Sequence, residues 1–358
     1  MSADFSPLYM LMSEIGTFTD CALITNDTDR RYFTGMKSSA GTLVVFADAA
    51  YLIIDSRYIE KARRTVTSSE VILQTKLFDQ INELIAKHEA VKISVNTSNT
   101  TVEQLNELSQ KINCELDSSD ELAEAVRAIR AVKSGEELEK MIAAQRIAEL
   151  GFEHMLDFIK PGKTEKEIQL ELDFFMLSHG AEALSFDTIA LTGANTSMPH
   201  GVPGDAAVSK GDFVLMDFGA VVDGYHSDMT RTVCVGQPTD EMRRVYDIVL
   251  DAQLAGIAAV REGISAKDLD AVARKVIADA GYGEYFGHSL GHGVGMDIHE
   301  VPYASPSGKD LLAADMVVTV EPGIYLPGRF GVRIEDFVAV REDGCFNMTN
   351  ATKELILL

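Results

Sequence analysis

The first 120 residues alternate short, mostly apolar runs with segments in which apolar residues recur at helical spacing. The runs Cys21–Thr25, Thr42–Phe46 and Tyr51–Asp55 are typical of strands. Phe78–His88 and Val102–Ile112 have the periodicity of amphipathic helices. No residues in this part of the chain stand out as catalytic. The pattern predicts a small α/β domain.

From about residue 123 longer helical segments replace this alternation. Ser134 and Glu137 form a Ser-x-x-Glu capping box ahead of a long amphipathic helix. Thr164 and Glu167 form a second box, and the helix that follows is predicted to end at Gly180, since glycine favours the position after a helix end. This change from alternating short segments to long helices predicts a domain boundary near residues 120–130.

The 358 residues are too many for one small domain and enough for two substantial cores. We therefore assign residues 1–122 to an α/β N-terminal domain and residues 123–358 to a larger domain that carries the chemistry.

The larger domain contains an internal repeat. A pair of helices, a histidine, an acidic residue at the end of a strand and a second acidic residue occur twice in the same order, at offsets that run only from 99 to 107 residues. This order predicts a duplicated helix–helix–strand unit, whose copies would pack about a pseudo-twofold axis. The paired positions are Gly162 and Gly263, His200 and His299, Asp217 and Glu321, and Asp228 and Glu335.

Asp217 follows the apolar run Phe213–Met216, where a carboxylate is unfavourable unless a cation or hydrogen bonds compensate for burial. Asp223-Gly224 is typical of a two-residue hairpin turn. Pairing across that turn places Asp217 opposite Thr230 and puts Asp228 on the same face, diagonal to Asp217. The two carboxylates are therefore predicted to lie close enough to share metal ions.

The second repeat supplies a matching pair of acids. Glu321 ends the predicted strand Val317–Val320, and Glu335 lies in a predicted returning strand, Val332–Val338. Four converging carboxylates cannot all stay ionised without cations, and two divalent ions would neutralise them. His292 lies in a glycine-rich segment that lets the backbone approach a ligand closely.

Other site types do not fit these segments. The glycines around His292 match neither GxGxxG nor a P-loop, and His299-Glu300 is not an HExxH helix because residue 303 is tyrosine. The net charge of −23 argues against nucleic acid or anionic membrane surfaces as partners.

The location follows from the terminus and the cysteines. The N-terminus has no signal-peptide pattern and the sequence has no apolar run of the ~18 residues needed to span a bilayer. The four scattered cysteines are predicted to be free thiols in a reducing cytosol. We therefore expect a cytoplasmic protein.

Taken together, these motifs resemble the pita-bread (M24-type) metallopeptidases, which include methionine aminopeptidase, aminopeptidase P and prolidase. Residues 1–122, with Tyr-Phe-Thr-Gly35 and Asp55-Ser-Arg57-Tyr58, resemble the creatinase-type N-terminal domain, which methionine aminopeptidases lack. The resemblance therefore implies the Xaa-Pro branch and an α+β pita-bread catalytic domain after the α/β domain. The motifs that carry it are Asp217-Phe-Gly, Gly224-Tyr-His-Ser-Asp228, Gly291-His292-Gly-Val-Gly, His299-Glu-Val-Pro, Glu321-Pro-Gly and Arg333-Ile-Glu335.

The resemblance also implies a ligand set for two divalent metals. Asp228 and Glu335 would bridge the ions, Asp217 would chelate one, and His292 with Glu321 would hold the other. A site with one imidazole and four carboxylates favours Mn²⁺, with Co²⁺, Fe²⁺ or Zn²⁺ as alternatives. The family also implies a homodimer.

The expected reaction is hydrolysis of an Xaa-Pro bond by a hydroxide shared between the metals, with Glu321 as general base. His200 and His299 would flank the substrate and steady its carbonyl without binding metal, and Arg333 would position substrate or a ligand. We favour an Xaa-Pro dipeptidase over an Xaa-Pro aminopeptidase acting on longer peptides. A metal-free binding protein on the same scaffold is disfavoured because the full ligand set is present.

Overall fold

The computed structural model describes residues 7–358, which separate into two compact units between Arg130 and Ala131. This division falls at the end of the predicted interval 120–130, so residues 123–130 belong with the first unit. Residues 123–130 belong there because they are part of the helix Glu121–Ala131, whose apolar residues Leu122 and Val126 pack into the core of the first unit.

The first unit is an α/β layer structure around one mixed sheet of six strands, with the strand order β4-β3-β2-β1-β5-β6. The strands are β1 Cys21–Ile24, β2 Thr42–Phe46, β3 Ala50–Ile54, β4 Glu70–Leu73, β5 Lys92–Val95 and β6 Glu115–Asp117. The helices are α1 Pro7–Ile15, α2 Asp27–Thr34, α3 Ile59–Thr65, α4 Leu77–Lys87, α5 Val102–Lys111 and α6 Glu121–Ala131.

Alternation along the strands explains why both faces of this sheet are covered. On β1, Ala22 and Ile24 join one apolar cluster, whereas Cys21 and Leu23 join the cluster on the opposite face. Successive side chains of a strand point to opposite faces, so a strand without polar residues requires a layer on each side. The three strands and two helices predicted for this region are confirmed.

The second unit contains two helix pairs and a set of short sheets. Its helices are α7 Gly135–Phe158, α8 Glu165–Ser178, α9 Asp240–Ala259 and α10 Ala266–Asp279. Its strands are β7 Ala183–Leu184, β8 Ile189–Thr192, β9 Phe213–Phe218, β10 Ala220–Val222, β11 Tyr225–His226, β12 Met229–Cys234, β13 Gly291–Gly293, β14 Glu300–Ala304, β15 Val317–Val320, β16 Gly323–Leu326, β17 Phe330–Arg333, β18 Asp336–Arg341 and β19 Gly344–Asn347.

The order of these elements confirms the predicted duplication. The pair α7 and α8 precedes the sheet β12-β9-β8, and the pair α9 and α10 precedes the sheet β14-β13-β15-β18-β19. Both predicted capping boxes are present, because the Ser134 and Thr164 side chains each accept a hydrogen bond from the backbone N–H three residues later. No helix within residues 7–358 is long and apolar enough to cross a membrane.

The predicted hairpin register is also correct. Asp217 pairs with Thr230 and Val222 pairs with Tyr225. Asp223 and Gly224 both have positive φ, 50° and 86°, as a tight two-residue turn of this hand requires. Asp228 lies in a break between β11 and β12, at the edge of the ladder.

The predicted strand Val332–Val338 is wrong, because Ile334 and Glu335 interrupt it between β17 and β18. The cause is a contact between the two repeats. The Glu335 N–H donates to the Thr230 carbonyl at 3.1 Å, and the Glu335 carbonyl accepts from the Arg231 guanidinium at 2.6 Å. Its backbone therefore bonds to the first repeat and not to a neighbouring strand of its own sheet.

Candidate metal centre

The two repeats of the second unit enclose a cavity of about 490 Å³. Every residue that the sequence singled out for metal binding or catalysis lines it, although these residues come from segments up to 135 positions apart (335 − 200). They are His200, Asp217, Asp228, His292, His299, Glu321, Arg333 and Glu335.

Three of these side chains meet closely enough to hold one cation. Ligand atoms of Asp228, His292 and Glu335 all lie within 4.8 Å of one another. The His292 Nε2 atom is 3.6 Å from Asp228 Oδ2 and 3.5 Å from Glu321 Oε1. These separations are too long for good hydrogen bonds, so the imidazole and the carboxylates face a common point without bonding to one another.

Asp217 adds the fourth carboxylate and an unsatisfied oxygen. Its Oδ2 accepts a hydrogen bond from Arg333 Nη2 at 2.6 Å, whereas its buried Oδ1 has no hydrogen-bond partner. A buried carboxylate oxygen without a donor is costly unless a cation lies beside it. The orphan oxygen and the three-donor cluster therefore both fit bound divalent metal.

The pKa shifts of the carboxylates also fit a cluster that binds divalent metal. Burial raises the pKa of Asp228, and the neighbouring Asp217 and Glu321 raise it further. Burial likewise raises the pKa of Glu335, with Asp228 as the next cause, and raises the pKa of Glu321 to about 8. Without cations the cluster would therefore hold protons near neutral pH, and metal binding would displace them.

His292 is suited to be a metal ligand because it is neutral. Burial, and after it the nearby His299, lower the pKa of His292 to about 4. Its Nδ1 lies 3.1 Å from the Gly293 carbonyl, which fixes the N–H on that nitrogen and leaves the Nε2 lone pair directed at the carboxylates.

Arg333 changes the charge balance that was expected from the carboxylates alone. Besides Asp217, the Arg333 guanidinium donates to the Tyr325 hydroxyl at 2.7 Å and to Thr230 Oγ1 at 3.0 Å. Thr230 in turn donates to Glu335 Oε2 at 2.8 Å. With this fixed positive charge, two divalent ions leave one positive charge over, which favours an anionic nucleophile or substrate group.

His200 and His299 lie in the cavity wall outside the three-donor cluster. The His299 ring stands edge-on to the His292 ring, with the centroids 4.4 Å apart, and burial lowers the pKa of His299. His200 is exposed at the mouth of the cavity. Both are placed to meet a bound molecule.

Sequence reasoning missed Tyr325 as part of this centre. Its hydroxyl accepts from Arg333 and lies 2.9 Å from His288 Nε2. Two glycines lie close to this side chain: a Cβ on Gly323 would lie 2.5 Å from the Tyr325 hydroxyl, and one on Gly331, the cross-strand partner, would lie 2.8 Å from its ring and 2.2 Å from the Thr196 carbonyl oxygen. The glycine at position 323 therefore leaves room for the tyrosine side chain.

His292 has no histidine as its counterpart in the first repeat. Thr192 pairs with Val214, and Gly293 pairs with Val318, which is the equivalent of Val214 because 318 − 214 equals 321 − 217. The counterpart of His292 is therefore Leu191. A leucine cannot bind metal, so the two halves of the centre differ.

A duplicated unit that surrounds four carboxylates and a neutral imidazole defines a metal-dependent hydrolytic enzyme. The comparison with known sequences gives the family. The chain belongs to metallopeptidase family M24, which it matches over residues 139–342, and residues 8–129 match the Creatinase/Prolidase N-terminal domain. The expected pita-bread architecture with a creatinase-type domain is thereby confirmed.

Relatives cover nearly the whole chain. An uncharacterised peptidase of Bacillus subtilis is 42% identical over 95% of this chain and 96% of its own length. The solved structure of an Xaa-Pro dipeptidase from Bacillus anthracis is 38% identical, with a TM-score of 0.95 over 98% of this chain and 99% of that one. That of an X-Pro aminopeptidase from Thermotoga maritima is 35% identical, with a TM-score of 0.90 over 95% and 98%.

Proposed function

We propose that this metallopeptidase hydrolyses Xaa-Pro dipeptides with two divalent metal ions. The observation that carries the proposal is the buried cluster of four carboxylates and His292 in one cavity, with the donor atoms of Asp228, His292 and Glu335 mutually within 4.8 Å. Similarity to the Bacillus anthracis Xaa-Pro dipeptidase over nearly the full length supports the substrate class.

In this proposal Asp228 and Glu335 would hold both ions, Asp217 would complete one site, and His292 with Glu321 would complete the other. Bound metals supply a polarised carbonyl and a water of lowered pKa. The chain holds Asp217 for this role through Arg333, whose guanidinium donates to Oδ2 and leaves Oδ1 free. The donor set is rich in oxygen, which supports manganese as the preferred ion.

The other residues of the cavity handle protons and developing charge. Glu321 serves as the general base, because its carboxylate faces the cluster, with Oε1 3.5 Å from His292 Nε2. His200 and His299 donate hydrogen bonds to the substrate carbonyl as negative charge develops, a contribution of ~3–4 kcal/mol for one good donor.

An Xaa-Pro aminopeptidase remains the second candidate because of one feature of the cavity. A dipeptide brings a free carboxylate, yet the described lining holds a single arginine and no lysine. That arginine, Arg333, is already bonded to Asp217 and Tyr325. In a longer peptide the proline is followed by another peptide bond, so no free carboxylate lies beside it and no cation is needed to bind one.

Parallel assays separate the two candidates. Ala-Pro and a longer peptide that begins Ala-Pro are incubated with metal-replete protein, and metal content is measured on the same preparation. Cleavage of Ala-Pro alone supports the dipeptidase, and preference for the longer peptide supports the aminopeptidase. Activity on Ala-Ala only, or a preparation that binds no divalent metal, contradicts both.

We also propose a cytoplasmic homodimer. All four cysteines are free thiols, which fits a reducing compartment. The dimer rests on the family resemblance alone, and light scattering of the purified protein tests it.

A further inference from the structure

His200 and His299 are held by different kinds of structure. His299 directly precedes β14, which pairs with β13 and so fixes the histidine to the sheet that carries His292. The equivalent stretch of the first repeat contains no strand: after the short 3₁₀ helix Gly193–Ser197, no strand occurs before β9. His200 lies in this irregular loop.

A buried carboxylate takes the place of the missing strand. Glu165, the first residue of α8, is only 1% exposed. Its Oε1 accepts hydrogen bonds from the Thr192 N–H at 2.8 Å and from Asn195 Nδ2 at 2.9 Å. Its Oε2 accepts from the Gly204 N–H at 3.0 Å. One side chain thus ties together both ends of the loop that carries His200.

The side-chain oxygens of Glu165 accept hydrogen bonds from uncharged groups. Its three hydrogen bonds come from neutral N–H donors, and the N-terminus of α8 adds a favourable dipole. The main chain supports the same closure, since the Glu165 N–H donates to the Ala206 carbonyl and the Lys166 N–H to the Gly204 carbonyl, both at 3.0 Å.

The second repeat shows that the carboxylate is not required by the fold. The equivalent of Glu165 is Ala266, whose N–H makes the matching bond to the Asp310 carbonyl. Alanine has no polar atom in its side chain, so the backbone bond alone joins Ala266 to this segment of the second repeat. The carboxylate is therefore specific to the repeat that lacks the additional strand.

We propose that Glu165 is a positioning residue that fixes His200 for its contact with the substrate carbonyl. The proposal rests on the proposed function of His200. It predicts that Glu165 acts on turnover through the loop and contributes little to metal binding, because none of its partners is a metal-ligand candidate.

The variant Glu165→Gln tests the contacts with little change in shape. A glutamine can still accept from Thr192 and Asn195, but its amide nitrogen then faces the Gly204 N–H, and two donors repel. Asn195→Ala removes one donor and leaves the carboxylate intact, so it serves if the first variant does not fold. Glu167→Gln is the matched control, since Glu167 caps the same helix but lies outside the loop.

Hydrogen exchange tests whether Glu165 holds the His200 loop in place, independently of the reaction. In Glu165→Gln, amides of residues 193–204 are expected to exchange about tenfold faster or more, as loss of a hydrogen bond to a charged group implies. Exchange in β15 stays as in the wild type, and Glu167→Gln leaves the loop unchanged. Loop protection that is equal in all three proteins overturns the proposal, whatever the enzyme cleaves.

Kinetics test the link to His200. For Glu165→Gln we expect kcat on the Xaa-Pro substrate to fall about 10- to 100-fold, with KM and metal content near wild type, because a misplaced group mainly costs turnover. In a His200→Ala background the same change should alter kcat by less than about twofold, since coupled residues are non-additive. Equal losses in both backgrounds contradict positioning through His200. If the wild-type protein is inactive on every peptide, the proposed function is refuted. The structural role of Glu165 in holding the loop is then still tested by hydrogen exchange.

Discussion

Removal of the metals is expected to make the stability of this protein fall as the pH rises from 7 to 8.5. The reason is the carboxyl cluster, where burial raises the pKa of Glu321 from 4.5 to about 8. The unfolded chain has already lost this proton at pH 7, whereas the folded, metal-free protein keeps it until about pH 8. The folded state therefore binds more protons, and its stability decreases with increasing pH.

The magnitude follows from the same linkage. One retained proton is worth at most about 1.4 kcal/mol per pH unit, so Glu321 alone lowers the free energy of unfolding by about 1 kcal/mol between pH 7 and 8. For a unit of this size that is a decrease of roughly 2–4 °C in Tm. Asp228 and Glu335, whose pKa values are also raised, act in the same direction. His292, with its pKa lowered to about 4, acts in the opposite direction, but mostly below pH 7.

The assay is calorimetry of chelator-treated and metal-loaded protein at pH 7.0, 7.75 and 8.5 and constant ionic strength. Metal-loaded protein should show little of this dependence, because bound cations keep the carboxylates ionised. Metal-free Glu321→Gln should show a smaller decrease than metal-free wild type. A metal-free Tm that stays level or rises over this range would refute the idea that the cluster is protonated in the absence of metal.

Three further predictions concern the centre and its backbone. Asp228→Ala should abolish both metal binding and peptide hydrolysis, measured by metal analysis and by Ala-Pro cleavage; near-normal activity with added metal would exclude a bridging role. His299→Ala should keep its metal while kcat falls about 10²-fold or more, as for loss of one oxyanion donor, and loss of metal would contradict a non-ligand role. Gly219→Ala should weaken metal binding and lower Tm, because the new Cβ would lie 2.0 Å from the Ser227 carbonyl oxygen, next to Asp228. The control Gly135→Ala meets no atom within 4 Å and should fold and bind metal normally.

The local features of the second unit could be predicted from the sequence because neighbouring residues determine them. The Asp223-Gly224 turn set the register of its hairpin, and with it the pairing of Asp217 with Thr230. The capping boxes located the starts of α7 and α8. The repeated order of acids and histidines indicated one shared site, because a duplicated unit brings its equivalent residues together.

What only the tertiary structure decided involves residues that are distant in sequence. Glu335 interrupts its strand because its backbone bonds to Thr230 and Arg231 of the other repeat. Tyr325 joins the centre through Arg333, and Glu165 braces a loop that begins 27 residues later (192 − 165). Periodicity and turn chemistry report the face and the local conformation of a side chain. The partner that a buried polar group finds across the core depends on how the elements pack.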